Sequence, residues 1–271
     1  MSTLVCFHAH PDDEAMTTAG TMALAAAAGH RVVLVVATRG EEGEAAPGSV
    51  PEGRPLGEHR SEEVARAAEA IGVHRLEFLG YRDSGMAGEA TNEHPDCFAA
   101  ADVDAAARAL ADLLREESAD VLTVYDAHGG YGHPDHIQVH RVGVRAAELA
   151  GTPHVYEATI DRDHLIALMR ARPVELGDDS PLPENPDDLD LGVPSHLITT
   201  RVDVRAALDR KRAAMAAHPS QIPADSFFLA MPDEIYAMAF GTEWFTRRGA
   251  APGTAERSEE HTSELQSPYV I

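Results

Sequence analysis

Lysine is all but missing from this 271-residue chain. Lys211 is the only one, and with 22 basic against 45 acidic residues the formal charge is −23. A surface of that sign repels phosphate backbones and anionic lipid, which excludes nucleic acid and acidic membrane faces as partners. Cysteine is nearly as scarce. Cys6 and Cys97 are too few for a disulfide framework or for paired cysteine ligands, and Cys6, inside an apolar run, reads as a small buried hydrophobe. No apolar run approaches the roughly eighteen residues a membrane helix needs, and no charged start with an apolar core marks a secretion signal. A soluble cytoplasmic protein is the expectation. Aromatics make up only 5% of the chain, so its core must be built from Ala, Val and Leu. Three motifs are also absent: the G-x-G-x-x-G turn of dinucleotide sites, the G-x-S-x-G elbow of serine hydrolases, and the H-E-x-x-H helix of zincins.

What is present alternates. Leu4 to Phe7 is a short apolar run, and Ala15 to Gly29 is a small-residue helix. Arg31 to Ala37, RVVLVVA, is a β-branched run of the kind that is buried on both faces. Strand, helix and strand in about thirty residues make a βαβ unit, with a parallel sheet and a right-handed crossover. The pattern continues through a helix at 58–71, a strand at 75–79, a helix at 102–117, a strand at 120–125, a helix at 134–150 and a strand at 154–159. The predicted fold class is therefore α/β, a Rossmann-like three-layer α/β/α sandwich with a mainly parallel sheet. Beyond it, 178–194 reads as a long loop, 197–202 as a strand, and 204–217 and 232–240 as helices. Residues 1–250 are expected to form one catalytic domain. Residues 257–271 lack any apolar period; the run Arg257 to Ser267 resembles a translated sequencing adapter, and a non-native or disordered tail is expected there.

Two loops concentrate the chemistry. HAHPDDE (8–14) follows the first strand, and DAHGGYGHPDH (126–136) follows the strand ending at Tyr125. In open α/β sheets ligands bind beyond the carboxyl ends of strands, where such loops meet. His10 and Asp13, three apart at a helix entry, can face one point, and His136 can add a third donor from the neighbouring loop. Three such ligands with an open position suit a mononuclear catalytic zinc. Ferrous iron accepts the same set, as in oxygenases with two histidines and a carboxylate. A phosphoesterase would need more ligands than these loops supply. Either motif alone could be a capped helix or a surface loop; their coincidence favours a metal.

HAHPDDE and GGYGHPDH together resemble the PIG-L/LmbE-like family of metal-dependent N-deacetylases. TRGEEGE (38–44), RDSGMAG (82–88) and YDAHGGYGHPDH (125–136) are most similar to its branch acting on mycothiol and its precursor, and HPSQIPADSFF (218–228) is more similar to the amidase of that branch. The resemblance implies a zinc-dependent hydrolase that deacylates an N-acyl amino sugar such as GlcNAc-inositol. A mycothiol S-conjugate amidase and a non-catalytic metal-binding protein are the alternatives. It implies zinc on His10, Asp13 and His136, Asp12 as general base, and His133 as an imidazolium facing the oxyanion, held and charged by Asp135. It also implies Tyr131 swinging over the carbonyl, and Arg60 and Asp83 on the substrate hydroxyls. The only partner it implies is a small amino-sugar or amide substrate; a homo-oligomer is compatible with it. Glu14 reads as a supporting acceptor or a helix-start charge. His8 is expected in the core, and His140 and His218 stay open between surface, support and pocket lining. His128 stands where that branch usually has asparagine.

Overall fold

Alternation of side chains along a strand sends successive residues to opposite faces, and the first two strands show the result. In the computed structural model, which describes residues 1–171, 183, 185–251 and 254–257, Leu4, Cys6, Val32 and Leu34 pack into one apolar layer. Val5, Phe7, Val33 and Val35 pack into the other. The strands are β1 (Thr3–His8), β2 (Arg31–Val36), β3 (Arg75–Phe78), β4 (Val121–Tyr125), β5 (His154–Thr159), β6 (Thr200–Asp203), β7 (Thr242–Arg247) and β8 (Glu256–Arg257). The helices are α1 (Asp13–Thr17), α2 (Ala19–Ala27), α3 (Leu56–Ile71), α4 (Val103–Glu116), α5 (Gly129–Gly132), α6 (Pro134–Ala150), α7 (Arg162–Ala171), α8 (Leu208–Ala216) and α9 (Asp233–Phe240). Buried residues of α1, α2, α3 and α8 line the first layer and those of α4 and α6 the second. This is the three-layer sandwich expected from the alternation.

The sheet order is β3-β2-β1-β4-β5-β7-β6-β8. The five strands from β3 to β5 are parallel, while β7 runs antiparallel to both β5 and β6. The chain first builds outward from β1 to β3 and then returns to add β4 on the other side of β1. That reversal opens a crevice at the carboxyl ends of β1 and β4, and both histidine loops begin there. α6 lies close to the sheet because it carries Gly143: a Cβ built there would sit 2.3 Å from Val124 Cγ1.

The structure differs from the sequence reading in local detail. The helix expected over 15–29 breaks at Thr18 (φ −132°), whose hydroxyl lies 2.8 Å from His8 Nε2. The backbone N–H groups of Gly20 and Thr21, freed at the start of α2, each donate at 2.8 Å to the carboxylate of Glu243 on β7. That carboxylate also accepts from Lys211 Nζ at 2.6 Å, both side chains being almost fully buried. Strands β7 and β8 and helix α7 are additional to the elements expected, although α7 carries Leu165, Ile166, Leu168 and Met169 at helical spacing. The loop expected at 178–194 lies partly outside the described residues, its visible part holding a short 3-10 turn at Pro186–Asp188. Residues 258–271 of the expected tail also lie outside them. No helix among the described residues is long and apolar enough to cross a membrane.

Candidate functional site

The carboxylate of Asp13 stands between two imidazoles. Its Oδ2 is 3.4 Å from His10 Nδ1 and its Oδ1 is 3.3 Å from His136 Nε2. The first loop is tied so that this happens: His10 N–H donates to Asp13 Oδ2 at 2.7 Å, and Asp13 N–H turns back toward His10 O. In the second loop Pro134 begins α6, placing His136 in its first turn, and Tyr125 from the end of β4 stacks on the His136 ring at 4.3 Å. Tyr125 is itself fixed by a 2.9 Å hydrogen bond between its hydroxyl and His8 Nδ1. Burial pushes His8 down to about 4, so this supporting ring is neutral at ordinary pH. Burial opposes ionisation of Asp13, yet the adjoining His136 and His10 hold its carboxyl well below the usual carboxylate range.

These donors fit a metal ion. Among the described residues, His136 Nε2 is a buried ring nitrogen that makes no hydrogen bond; such atoms nearly always have a partner in folded proteins. Donor atoms of His10, His133 and His136 also lie within 4.8 Å of one another. Two imidazoles and a carboxylate are borderline-hard donors of the kind zinc and ferrous iron both accept. A second grouping, His10 with Asp83 and Asp135, is already satisfied. Asp135 accepts from Ser84 N–H at 3.0 Å and from the Ser84 hydroxyl, and Asp83 accepts from the backbone of Gly85 and Glu42. Both carboxylates also face His10 Nε2, at 3.2 and 3.4 Å.

Asp12 stands apart. It occupies the cap position of α1, but its side chain makes no capping hydrogen bond, so helix capping does not explain the carboxylate. Its backbone is left-handed, at φ 117° and ψ −28°, a conformation that costs a non-glycine residue about 1–3 kcal/mol and persists only where the surroundings impose it. Burial raises its carboxyl to about 6 against the opposing pull of Arg60, with Asp13 adding to the rise. Arg60 Nη2 lies 3.2 Å from Asp12 Oδ2 and donates to Pro11 O at 2.6 Å, while Nη1 donates to Gly40 O at 2.9 Å. The structure therefore spends Arg60, expected on substrate hydroxyls, largely on the HPDD turn itself. Asp83 is likewise held by backbone, and although burial opposes it, His10 and those N–H groups keep its carboxyl low.

The partners of His133 differ from the expectation. Asp135 does not reach its ring with the carboxylate; instead its backbone N–H donates to His133 Nδ1 at 3.1 Å. A ring that accepts at Nδ1 carries its proton on Nε2. Burial first, then the neighbouring His10 and His136, push His133 down to about 4, which favours a neutral imidazole over the imidazolium. The Asp135 carboxylate serves His10 because the first turn of α6 directs it back toward β1. Tyr131 sits half-exposed at 4.9 Å from the His136 ring, between glycines that all have positive φ. His128 is exposed and 4.0 Å from Asp190. His140 donates from Nδ1 to Tyr125 O, and His218 is buried against Glu14. Ser84 and Tyr125 were not singled out in the sequence. For Tyr125 the signal was its place at the last position of a strand leading into the histidine loop.

The loops open into a cavity of about 1470 Å³ lined by His10, Asp12, Asp13, Tyr131, His133 and His136. The same cavity is also lined by apolar side chains including Met16, Phe228, Met231, Phe240 and Trp244. Fold and site thus define a doubly wound α/β protein with a His/Asp cluster able to take a metal at its switch point. The pattern of the PIG-L family, GlcNAc-PI de-N-acetylase, matches residues 5–147, and the chain belongs to that family. The 1D-myo-inositol 2-acetamido-2-deoxy-alpha-D-glucopyranoside deacetylase of Thermomonospora curvata is 44% identical over 270 residues, covering 92% of this chain and 91% of its own. Among solved structures, the N,N'-diacetylchitobiose deacetylase of Pyrococcus horikoshii is similar at a TM-score of 0.55 and 22% identity, covering 93% of this chain and 84% of that one. GalB, the 4-carboxy-2-hydroxymuconate hydratase of Pseudomonas putida KT2440, is similar at 0.57 and 18%, covering 97% and 100%. These two likenesses concern the fold alone, which hosts more than one chemistry.

Proposed function

We propose that the protein is a metal-dependent hydrolase that removes the acetyl group from the nitrogen of an amino sugar, with a GlcNAc-inositol as its substrate. The observation that carries this is Asp12, a strained carboxylate with no capping role, placed beside the Asp13, His10 and His136 donors inside the cavity. The name of the Thermomonospora relative supports the sugar. His10, Asp13 and His136 hold the ion, which is zinc in this reading. When bound, it polarises the amide carbonyl and makes a water nucleophilic near neutral pH.

The remaining steps belong to the protein. Asp12, raised toward neutrality, takes the proton of the attacking water and passes it to the departing amine. Arg60, held against Oδ2, fixes which way that carboxylate points. His133 donates from Nε2 to the carbonyl oxygen as negative charge gathers on it. Tyr131, on its glycine-flanked turn, closes over the same oxygen. Asp83 and Asp135 keep the His10 ring in place.

The test is amine release from GlcNAc-inositol by zinc-loaded and chelator-treated protein. Release by the loaded protein alone supports the reading; equal release from both samples overturns it. Full metal content with no release from any N-acetyl sugar would leave a metal-binding protein without catalysis. A second reading has one observation in its favour: an inositol has no need of the apolar side chains that also line the cavity. An amide bearing a thioether-linked apolar group would use them, and greater turnover on such a conjugate than on GlcNAc-inositol would make the protein an amidase.

A further inference from the structure

The left-handed turn at Asp12 needs something to impose it, and the contacts name what does. The backbone N–H of Asp12 donates to Glu14 Oε2 at 3.0 Å, a bond that ties the turn at Asp12 to the first turn of α1. The other oxygen of the same carboxylate, Oε1, is 2.6 Å from His218 Nε2. Neither Glu14 nor His218 is exposed at all. Among the described residues, His218 is the hydrogen-bond partner of Glu14 Oε1, and His218 Nδ1 is buried without one. The polar contact of that ring is thus concentrated on Glu14. His218 in turn is anchored just beyond α8: its N–H donates to Met215 O, and its carbonyl accepts from Gln221 and Ile222 at 2.9 and 2.7 Å. A segment more than two hundred residues away in sequence, next to α8, therefore holds Glu14 in the first turn of α1.

We propose that Glu14 and His218 are positioning residues for the reaction: a buried brace that holds Asp12 in its left-handed conformation and so aims its carboxylate into the cavity. Arg60 restrains the tip of that side chain, and the brace restrains its root. Neither Glu14 nor His218 touches substrate in this arrangement. The proposal rests on Asp12 acting as the base, and the experiment separates the two ideas.

Glu14→Ala removes the brace, Glu14→Gln keeps an acceptor for the Asp12 N–H, and Asp12→Asn removes the base. Each is assayed for kcat, KM, bound zinc and amide hydrogen exchange at residue 12. The expected result for Glu14→Ala is full zinc content, KM within about threefold of wild type and kcat lower by thirtyfold or more, with accelerated exchange of the Asp12 amide. Glu14→Gln should recover kcat to within about fivefold. In the Asp12→Asn background, Glu14→Ala should cost nothing further, because there is no longer a carboxylate to aim. Unchanged kcat and unchanged amide exchange in Glu14→Ala would overturn the brace. Wild-type turnover in Asp12→Asn would overturn the reading of the base, while accelerated exchange in Glu14→Ala would still uphold the brace. Should Glu14→Ala not fold, His218→Gln carries the test: a kcat loss of about tenfold with zinc retained supports the brace, and none overturns it.

Discussion

The only lysine in the chain gives the sharpest test of how the sheet and its first helices are held together. Lys211 Nζ lies 2.6 Å from Glu243 Oε1 and donates to Met16 O at 2.9 Å, and its side chain is 1% exposed. Glu243, 3% exposed, also accepts from Gly20 and Thr21 at the start of α2. Lys211→Met preserves the apolar stem but strands a buried carboxylate with two backbone donors and no cation. Breaking one side of such a pair costs about 3–5 kcal/mol. For a chain of this size each kcal/mol is worth about 2–4 °C, so a fall in melting temperature of roughly 10 °C is expected. Glu243→Gln should cost a similar amount by stranding the ammonium. The double variant should cost less than the sum, since a close pair couples by about 0.5–3 kcal/mol. Urea titrations of the four proteins measure each corner of the cycle. A cost below about 1 kcal/mol for Lys211→Met, or simple additivity in the double variant, would refute the claim that this pair joins α8, β7 and α2.

Other outcomes follow from the same geometry. His10→Ala should lose bound zinc, whereas Asp12→Ala should keep zinc and lose turnover by about 10²–10⁴-fold; metal analysis beside amine release distinguishes them, and zinc loss in both would make Asp12 a ligand. Gly143→Ala should destabilise by about 1–3 kcal/mol through overpacking, because its new methyl meets Val124 Cγ1 at 2.3 Å; a neutral result in thermal melting would show that α6 can lift from β4. Glu117 is held by the Arg31 guanidinium against its partial burial, with help from Arg75, and its carboxyl falls from 4.5 to about 2. Its stabilising contribution is therefore whole above pH 4.5 and lost as pH falls toward 2. The melting temperatures of wild type and Glu117→Gln should converge over that window; a constant gap would show the pair to be idle.

How much of this was legible in the sequence depended on the distance over which the forces act. RVVLVV announces a buried strand by itself, and HPDDE and HPDH carry their donors within a few residues, so the donor cluster could be read from spacing. Side-chain direction could not. Asp135 neighbours His133 in sequence, but the first turn of α6 sends its carboxylate to His10 and Ser84. Arg60 has the chemistry of a hydroxyl or phosphate binder, yet it is 3% exposed and faces Pro11 and Gly40 carbonyls. The break at Thr18 depends on His8, and the capping of α2 on a glutamate 223 positions away. No local pattern encodes such partners.

That separation has a consequence in time as well as in space. Chains emerge during synthesis at about 5–20 residues per second, so the start of α2 waits roughly 10–45 s for the strand that bears Glu243. Meanwhile β1 to β5 can already pair, because none of their ladders needs β7. The nascent protein therefore passes through a long interval in which the histidine loops are tethered to a growing sheet but the helix behind them has no anion at its head. A ribosome stalled before residue 243 should expose that helix to protease.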